Sequence, residues 1–127
     1  MAPSEATQTE TSAVACEIGD GIATLTLSRP SGYNTLQSCT ITTLHGLLND
    51  LADNPAARVI VIASTGKAFS TGHDLKEMAA SADEMFYRQL LSDCSAMMQA
   101  IVAQPQPVIA QVQGIATAAG CQLVASC

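Results

Sequence analysis

The stretch PVIAQVQGIATAAGCQLVASC, residues 107–127, decides how the rest of the chain is read. An apolar run from Pro107 to Val112 breaks at Gly114, and three small residues, Ala118, Ala119 and Gly120, then open an almost wholly apolar segment. That order predicts a strand, a tight turn and a buried helix. Tiny side chains at a helix start let a ligand approach the free backbone N–H groups, where the helix dipole adds partial positive charge. Such a place suits an oxyanion. Gln122 and Ser126, four apart, share one face of the helix, while Leu123, Val124 and the cysteines cover much of the rest. A helix of that kind belongs inside a larger core, so an incomplete domain is expected.

Upstream, the chain alternates from Val14 and more clearly from Ile22, with Ala23, Leu25 and Leu27 on one side, and EIGDGI supplies an Asp-Gly turn. A hairpin is predicted. The segment SRPSGYN, Ser28 to Asn34, is rich in turn formers and reads as an exposed loop. Asn34 and Gln37 resemble a capping box opening a helix whose apolar residues are Ile41, Leu44, Leu48 and Leu51, ended by Asn54-Pro55. RVIVIA, residues 58–63, is a β-branched run that predicts a strand covered on both faces. STGKAFSTGHDLKEM then reads as a loop opening a short helix. Ser81 and Glu84 offer a second capping box, for a helix facing the core with Phe86, Leu90, Cys94, Met97 and Ile101 and ending before Pro105. Strand pairs alternate with helices, which predicts an α/β fold of stacked ββα units.

The 127 residues allow one domain at most, and 48% hydrophobic with 13% charged residues predicts a packed core. A net charge of −6 with only 5 basic residues leaves no patch to neutralise a row of phosphates, so no nucleic-acid partner is expected. No apolar run approaches the roughly 20 residues needed to cross a bilayer, and no membrane partner is expected. The five cysteines are odd in number, widely spaced and without a CxxC pair, as reduced cytosolic thiols would be. Residues 1–13 lack the apolar core of a secretory signal and the arginines of a mitochondrial one. They are expected to form a mobile tail, with the domain at 14–127 and a soluble, cytoplasmic protein. No His, Cys and carboxylate cluster has metal-ligand spacing, so no metal is expected.

Three stretches in order, LSRPSGYNTL, GKAFSTGHDLKEM and the terminal ATAAGCQLVASC, resemble the enoyl-CoA hydratase/isomerase (crotonase) family, closest in motif to its enoyl-CoA hydratase domain-containing branch. The resemblance covers the chain from about residue 14 and implies the N-terminal half of a crotonase-like domain. It implies an acyl-CoA thioester ligand, with coenzyme A part of the substrate and no separate cofactor. Ser31, Gly32 and Tyr33 fall where the family holds the adenine end of coenzyme A through backbone groups. In the FxxGxDLxE pattern His73 follows the glycine and would donate its backbone N–H to the thioester oxygen, with Asp74, Leu75 and Lys76 beside it at the ligand. Ala119 matches the second donor. Two N–H groups aimed at one carbonyl oxygen stabilise the enolate formed when a thioester is attacked at C3 or deprotonated at C2.

Gln122 departs from the family pattern, because hydratases place a glutamate there to handle water. An amide holds a water but does not exchange its proton at neutral pH. The family's second catalytic glutamate lies in a part of the domain beyond residue 127. The resemblance therefore implies an enoyl-CoA hydratase, a lyase of fatty acid metabolism in a family that includes isomerases, with turnover by this chain alone in question. The alternatives are a non-catalytic acyl-CoA-binding member and a truncated product without activity. A complete protein is expected to form homo-oligomers, trimers or hexamers. Among single residues, only the N–H of His73 is implied by the motif, and its imidazole is expected to point at solvent. His45 reads as a surface histidine, Asp74 as the cap of the short helix, and Cys121 as a buried structural thiol. Lys76 could meet a coenzyme A phosphate or be a plain solvated lysine.

Overall fold

The Asp-Gly turn folds as its residues dictate. In a computed structural model, which describes residues 13–127, β1 (Val14–Gly19) and β2 (Ile22–Leu27) pair antiparallel with Gly19 opposite Ile22. Asp20 and Gly21 both take positive φ, 54° and 82°, as a two-residue hairpin turn requires. The expected tail lies outside the described residues except for Ala13, whose carbonyl accepts the Ser28 N–H at 2.9 Å.

Strand β3 (Val59–Ser64) runs parallel to β2 on one side and to β5 (Val108–Ala110) on the other, giving the sheet order β1-β2-β3-β5. Helix α1 (Ser38–Ala52) buries Ile41, Leu44, Leu48 and Leu51, and α3 (Glu84–Val102) buries Leu90, Cys94, Met97, Met98 and Ile101, the faces that the apolar periods predict. They share one core with Ala23, Leu25, Leu27, Ile60 and Ile62. The expectation that RVIVIA is covered on both faces fails. Ile60 and Ile62 are fully buried, but on the other face Val59 and Val61 are half-buried and their cross-strand neighbours Ile22 and Ile109 are exposed. Both long helices pack into the core on the Ile60 side, and among the described residues nothing comparable covers the other.

Two short strands lie in stretches without a period. β4 (Ala68–Ser70) and β6 (Ile115–Ala116) pair parallel as a second sheet, and Leu36 forms an isolated parallel bridge with His73. Each unit thus sends an extended piece to each layer before its helix. These are β2 and Leu36 before α1, β3 and β4 before α2 (Leu75–Ala80) and α3, and β5 and β6 before α4 (Ala119–Ser126).

The helix starts differ from the capping boxes. α1 begins after Gln37, which makes no side-chain cap bond, and Asn34 lies three residues earlier in a left-handed conformation. The cap comes from another element: Glu77 of α2 accepts from the Ser38 N–H at 2.9 Å and from Ser38 Oγ at 3.0 Å. α3 is capped by Asp83, whose carboxylate accepts from the Met85 N–H at 3.1 Å, while Ser81 closes α2. A three-residue spacing of polar residues is shared by true caps and by turns, and here tertiary contacts choose between them. α4 is less buried than its composition predicts. Only Gly120 and Leu123 are buried, where the helix meets β4 and α3.

Candidate active site

β4 and β6 end side by side and leave their sheet through Thr71-Gly72-His73 and Thr117-Ala118-Ala119. The Thr117 N–H donates to the Ser70 carbonyl at 3.0 Å and sets the register of the two exits. Gly72 has φ 91°, and a Cβ there would lie 3.0 Å from Ala119 N and 3.1 Å from Ala118 Cβ. At Gly120 a Cβ would lie 2.7 Å from the Ser70 carbonyl carbon. Two glycines therefore allow two backbones to touch at this point.

Ala118 turns β6 into α4 in a single residue with φ 51° and ψ −127°, a region that disfavours any Cβ. Such strain costs about 1–3 kcal/mol and persists where surrounding structure over-determines it. Its consequence is that Ala119 is the first residue of the helix, with an N–H that has no intrahelical acceptor. Among the described residues, neither the Ala119 N–H nor the His73 N–H has a hydrogen-bond acceptor. Two unpaired donors thus stand on adjoining turns, one of them at the positive end of a helix dipole.

A groove of about 430 Å³ opens beside them. All six residues predicted for the coenzyme A part of the ligand line it, Ser31, Gly32 and Tyr33 from one loop and Asp74, Leu75 and Lys76 from the start of α2, together with His73. Tyr33 and Leu75 present exposed apolar surface there, and Lys76 is exposed. Ala119 and Gln122 are not in its lining. Ala119 adjoins the groove through Gly72, whereas Gln122 is exposed on α4 and its backbone N–H donates to the Ala118 carbonyl at 3.1 Å.

Asp74 caps α2 as expected, Oδ1 accepting from the Lys76 N–H at 2.9 Å. Its Oδ2 accepts from Gln37 Nε2 at 2.8 Å, a tie to the start of α1. The Gln37 amide, opposed by partial desolvation and aided by the Lys76 and Glu77 N–H groups and the Lys76 charge, holds this carboxyl below its ordinary range. It is a structural carboxylate that stays ionised.

Three single-residue expectations change. The His73 side chain does not simply face water: its Nδ1 is shielded and has no partner among the described residues. Cys121 is exposed rather than buried, because α4 turns Gly120 and Leu123 inward instead. His45 is half-buried on α1. Sequence reasoning missed the roles of Glu77 and Asn34 altogether. Their partners are remote in sequence, and no local pattern signals them.

The stacked ββα units are those of a crotonase-like fold, and the chain belongs to the enoyl-CoA hydratase/isomerase family, whose profile matches residues 17–127. Among curated proteins it is 42% identical over 107 residues to enoyl-CoA hydratase domain-containing protein 3, mitochondrial, of Xenopus laevis, covering 84% of this chain and 36% of the relative. The Homo sapiens protein of the same name is 42% identical over 108 residues, covering 85% and 36%. A crystal structure of enoyl-CoA hydratase from Mycobacterium smegmatis superposes with a TM-score of 0.87 at 45% identity, covering 90% of this chain and 45% of that one. The human enoyl-CoA hydratase domain-containing protein 3 structure gives 0.86 at 41% identity, with the same coverage. The chain spans about a third of the length of these curated relatives.

Proposed function

We propose that this chain forms the oxyanion-binding and nucleotide-binding part of a protein that acts on coenzyme A thioesters, with reversible hydration of a 2-enoyl-CoA as its reaction. The observation that carries the reading is the pair of N–H groups, His73 and Ala119, left without acceptors on turns that Gly72 and Gly120 hold in contact. The thioester carbonyl oxygen accepts from both. As water adds its oxygen to C3 and a proton is delivered to C2, negative charge develops on that oxygen, and fixed donors stabilise it without reorganising. Removing one such donor typically costs about 3 kcal/mol of barrier. The nucleotide end lies along the groove, with backbone of Ser31–Tyr33 on one side and Lys76 offering a charge to phosphate on the other. Gln122 holds a water through its amide, and the carboxylate that moves the protons comes from the part of the relatives' length that this chain does not span.

The experiment is calorimetric titration with a saturated acyl-CoA and a rate assay with a 2-enoyl-CoA. Binding by this chain is expected, with turnover only where the remaining part of the domain supplies the carboxylate, and absence of binding removes the reading. A second reading, a family member that binds acyl-CoA without turning it over, is favoured by Gln122 in place of the glutamate. Gln122→Glu in a protein that carries the remaining part of the domain discriminates: a gained hydration rate at unchanged affinity means the bound thioester is already well placed, and no gain supports the binding protein.

A further inference from the structure

Asn34 is 2% exposed and its carboxamide is used at both ends. Oδ1 accepts from the Arg29 N–H at 2.8 Å, and Nδ2 donates to the Thr65 carbonyl at 2.7 Å and the Ala68 carbonyl at 2.9 Å. Both acceptors of Nδ2 belong to the segment that enters β4, whereas Arg29 begins the loop that carries Ser31, Gly32 and Tyr33. One side chain therefore ties the loop that supplies one wall of the groove to the strand that leads into the other. The loop needs such a tie, because after the 3-10 turn Pro30–Gly32 two consecutive non-glycine residues, Tyr33 and Asn34, take φ of 53° and 52°. Asparagine tolerates that region, tyrosine much less, and the pair persists only when neighbouring contacts fix it. Gly66 leaves room for the same loop: a Cβ there would lie 2.6 Å from Pro30 Cβ.

We infer that Asn34 is a positioning residue for the nucleotide end of the ligand, holding the Ser31–Tyr33 wall in register with β4, the strand that leads to His73. The inference rests on the coenzyme A thioester reading above. Only an amide serves, since two backbone carbonyls need donors while one backbone N–H needs an acceptor. Aspartate keeps the acceptor and turns carboxylate oxygen toward the two carbonyls. Glycine keeps the left-handed backbone without strain and deletes the tie.

The consequence is selective. A displaced loop weakens ligands that reach it and leaves alone those that do not. The test measures dissociation constants of a saturated acyl-CoA and of the matching acyl-pantetheine, which lacks the nucleotide, for the wild-type chain, Asn34→Asp and Asn34→Gly. Both variants should lose roughly tenfold or more in acyl-CoA affinity and bind acyl-pantetheine as the wild type does. Equal losses for the two ligands, or unchanged acyl-CoA affinity, overturn the inference. A wild type that binds neither ligand removes the coenzyme A reading and this inference with it; a wild type that binds, with variants unaffected, removes only the inference. Should both Asn34 variants fail to fold, Gly66→Ala displaces Pro30 from an exposed position and must give the same ligand-selective loss; an unselective loss or none overturns the inference there too.

Discussion

Replacing Gly120 with alanine should unseat α4 and the Ala119 donor with it. In an ordinary helix the change favours folding by about 1 kcal/mol. Here the new Cβ overlaps the Ser70 carbonyl oxygen and lies 2.7 Å from its carbon and 2.9 Å from Ser70 Cβ. That carbonyl cannot swing aside, because it accepts the Thr117 N–H and fixes the register of β6. Relief requires α4 to retreat by about 1 Å, and overpacking of this kind costs about 1–3 kcal/mol, so the sign of the substitution reverses. Gly46, exposed in α1, is the control: nothing lies within 4 Å of the Cβ that an alanine would place there, and Gly46→Ala should stabilise by about 1 kcal/mol. Thermal unfolding followed by circular dichroism should show Gly120→Ala falling by up to roughly 8 °C and Gly46→Ala rising by about 4 °C. A 1 Å misplacement of an oriented group can lower a rate about 100-fold, so under the function proposed above hydration of a 2-enoyl-CoA by a protein that carries the whole domain should fall by that order in Gly120→Ala and hold in Gly46→Ala. A Gly120→Ala chain that gains stability as Gly46→Ala does refutes the close packing. A chain that loses stability yet keeps its rate detaches Ala119 from the chemistry.

Asp74 contributes stability at pH above its ordinary value of 3.8, because its folded value is depressed, and that contribution is lost as pH falls through the folded value. The stability difference between wild type and Asp74→Asn should hold steady above about pH 5 and shrink below the ordinary value; a difference that stays flat into strong acid contradicts it. Glu77→Ala removes the acceptor of the Ser38 N–H and Oγ and should cost about 1–2 kcal/mol in urea unfolding; an unchanged midpoint denies the cap between elements. Alkylation read by peptide mass spectrometry should modify exposed Cys39 and Cys121 first. Cys94, 4% exposed with a thiol pushed up by burial, should react only with unfolding, and Cys127, pushed up to about 11 by burial, should lag. Early labelling of Cys94 would place it outside the core.

What could be read in advance follows the range of the interaction. The Asp20-Gly21 hairpin rests on local backbone preferences, and α1 and α3 on apolar residues that recur with the helical period, so each announces itself within a few positions. β4 and β6 have three and two residues and pair across a long sequence separation, amid polar and small residues that carry no period. No window of sequence holds both partners. Asn34 shows the same limit in one residue: spaced three before Gln37 it looks like a cap, yet carbonyls 31 and 34 residues away claim its amide. The six groove residues were legible through family motifs, whereas their convergence on one groove depends on α2 docking against the loop after β2.

The position of Gln122 acquires a physical meaning from the way the two donors are built. Both are main-chain groups, so their placement depends on room at Gly72 and Gly120 and on the turn at Ala118, and not on the side chain at 122. A substitution at 122, on an exposed face of α4 with its backbone bonded only within the helix turn, leaves those constraints untouched. Under the function proposed above, polarising a thioester and moving protons are therefore separable in this fold. Glutamine in place of the glutamate that the resemblance implies removes the second without disturbing the first, so the proposed oxyanion site can persist in a chain whose acid-base chemistry differs.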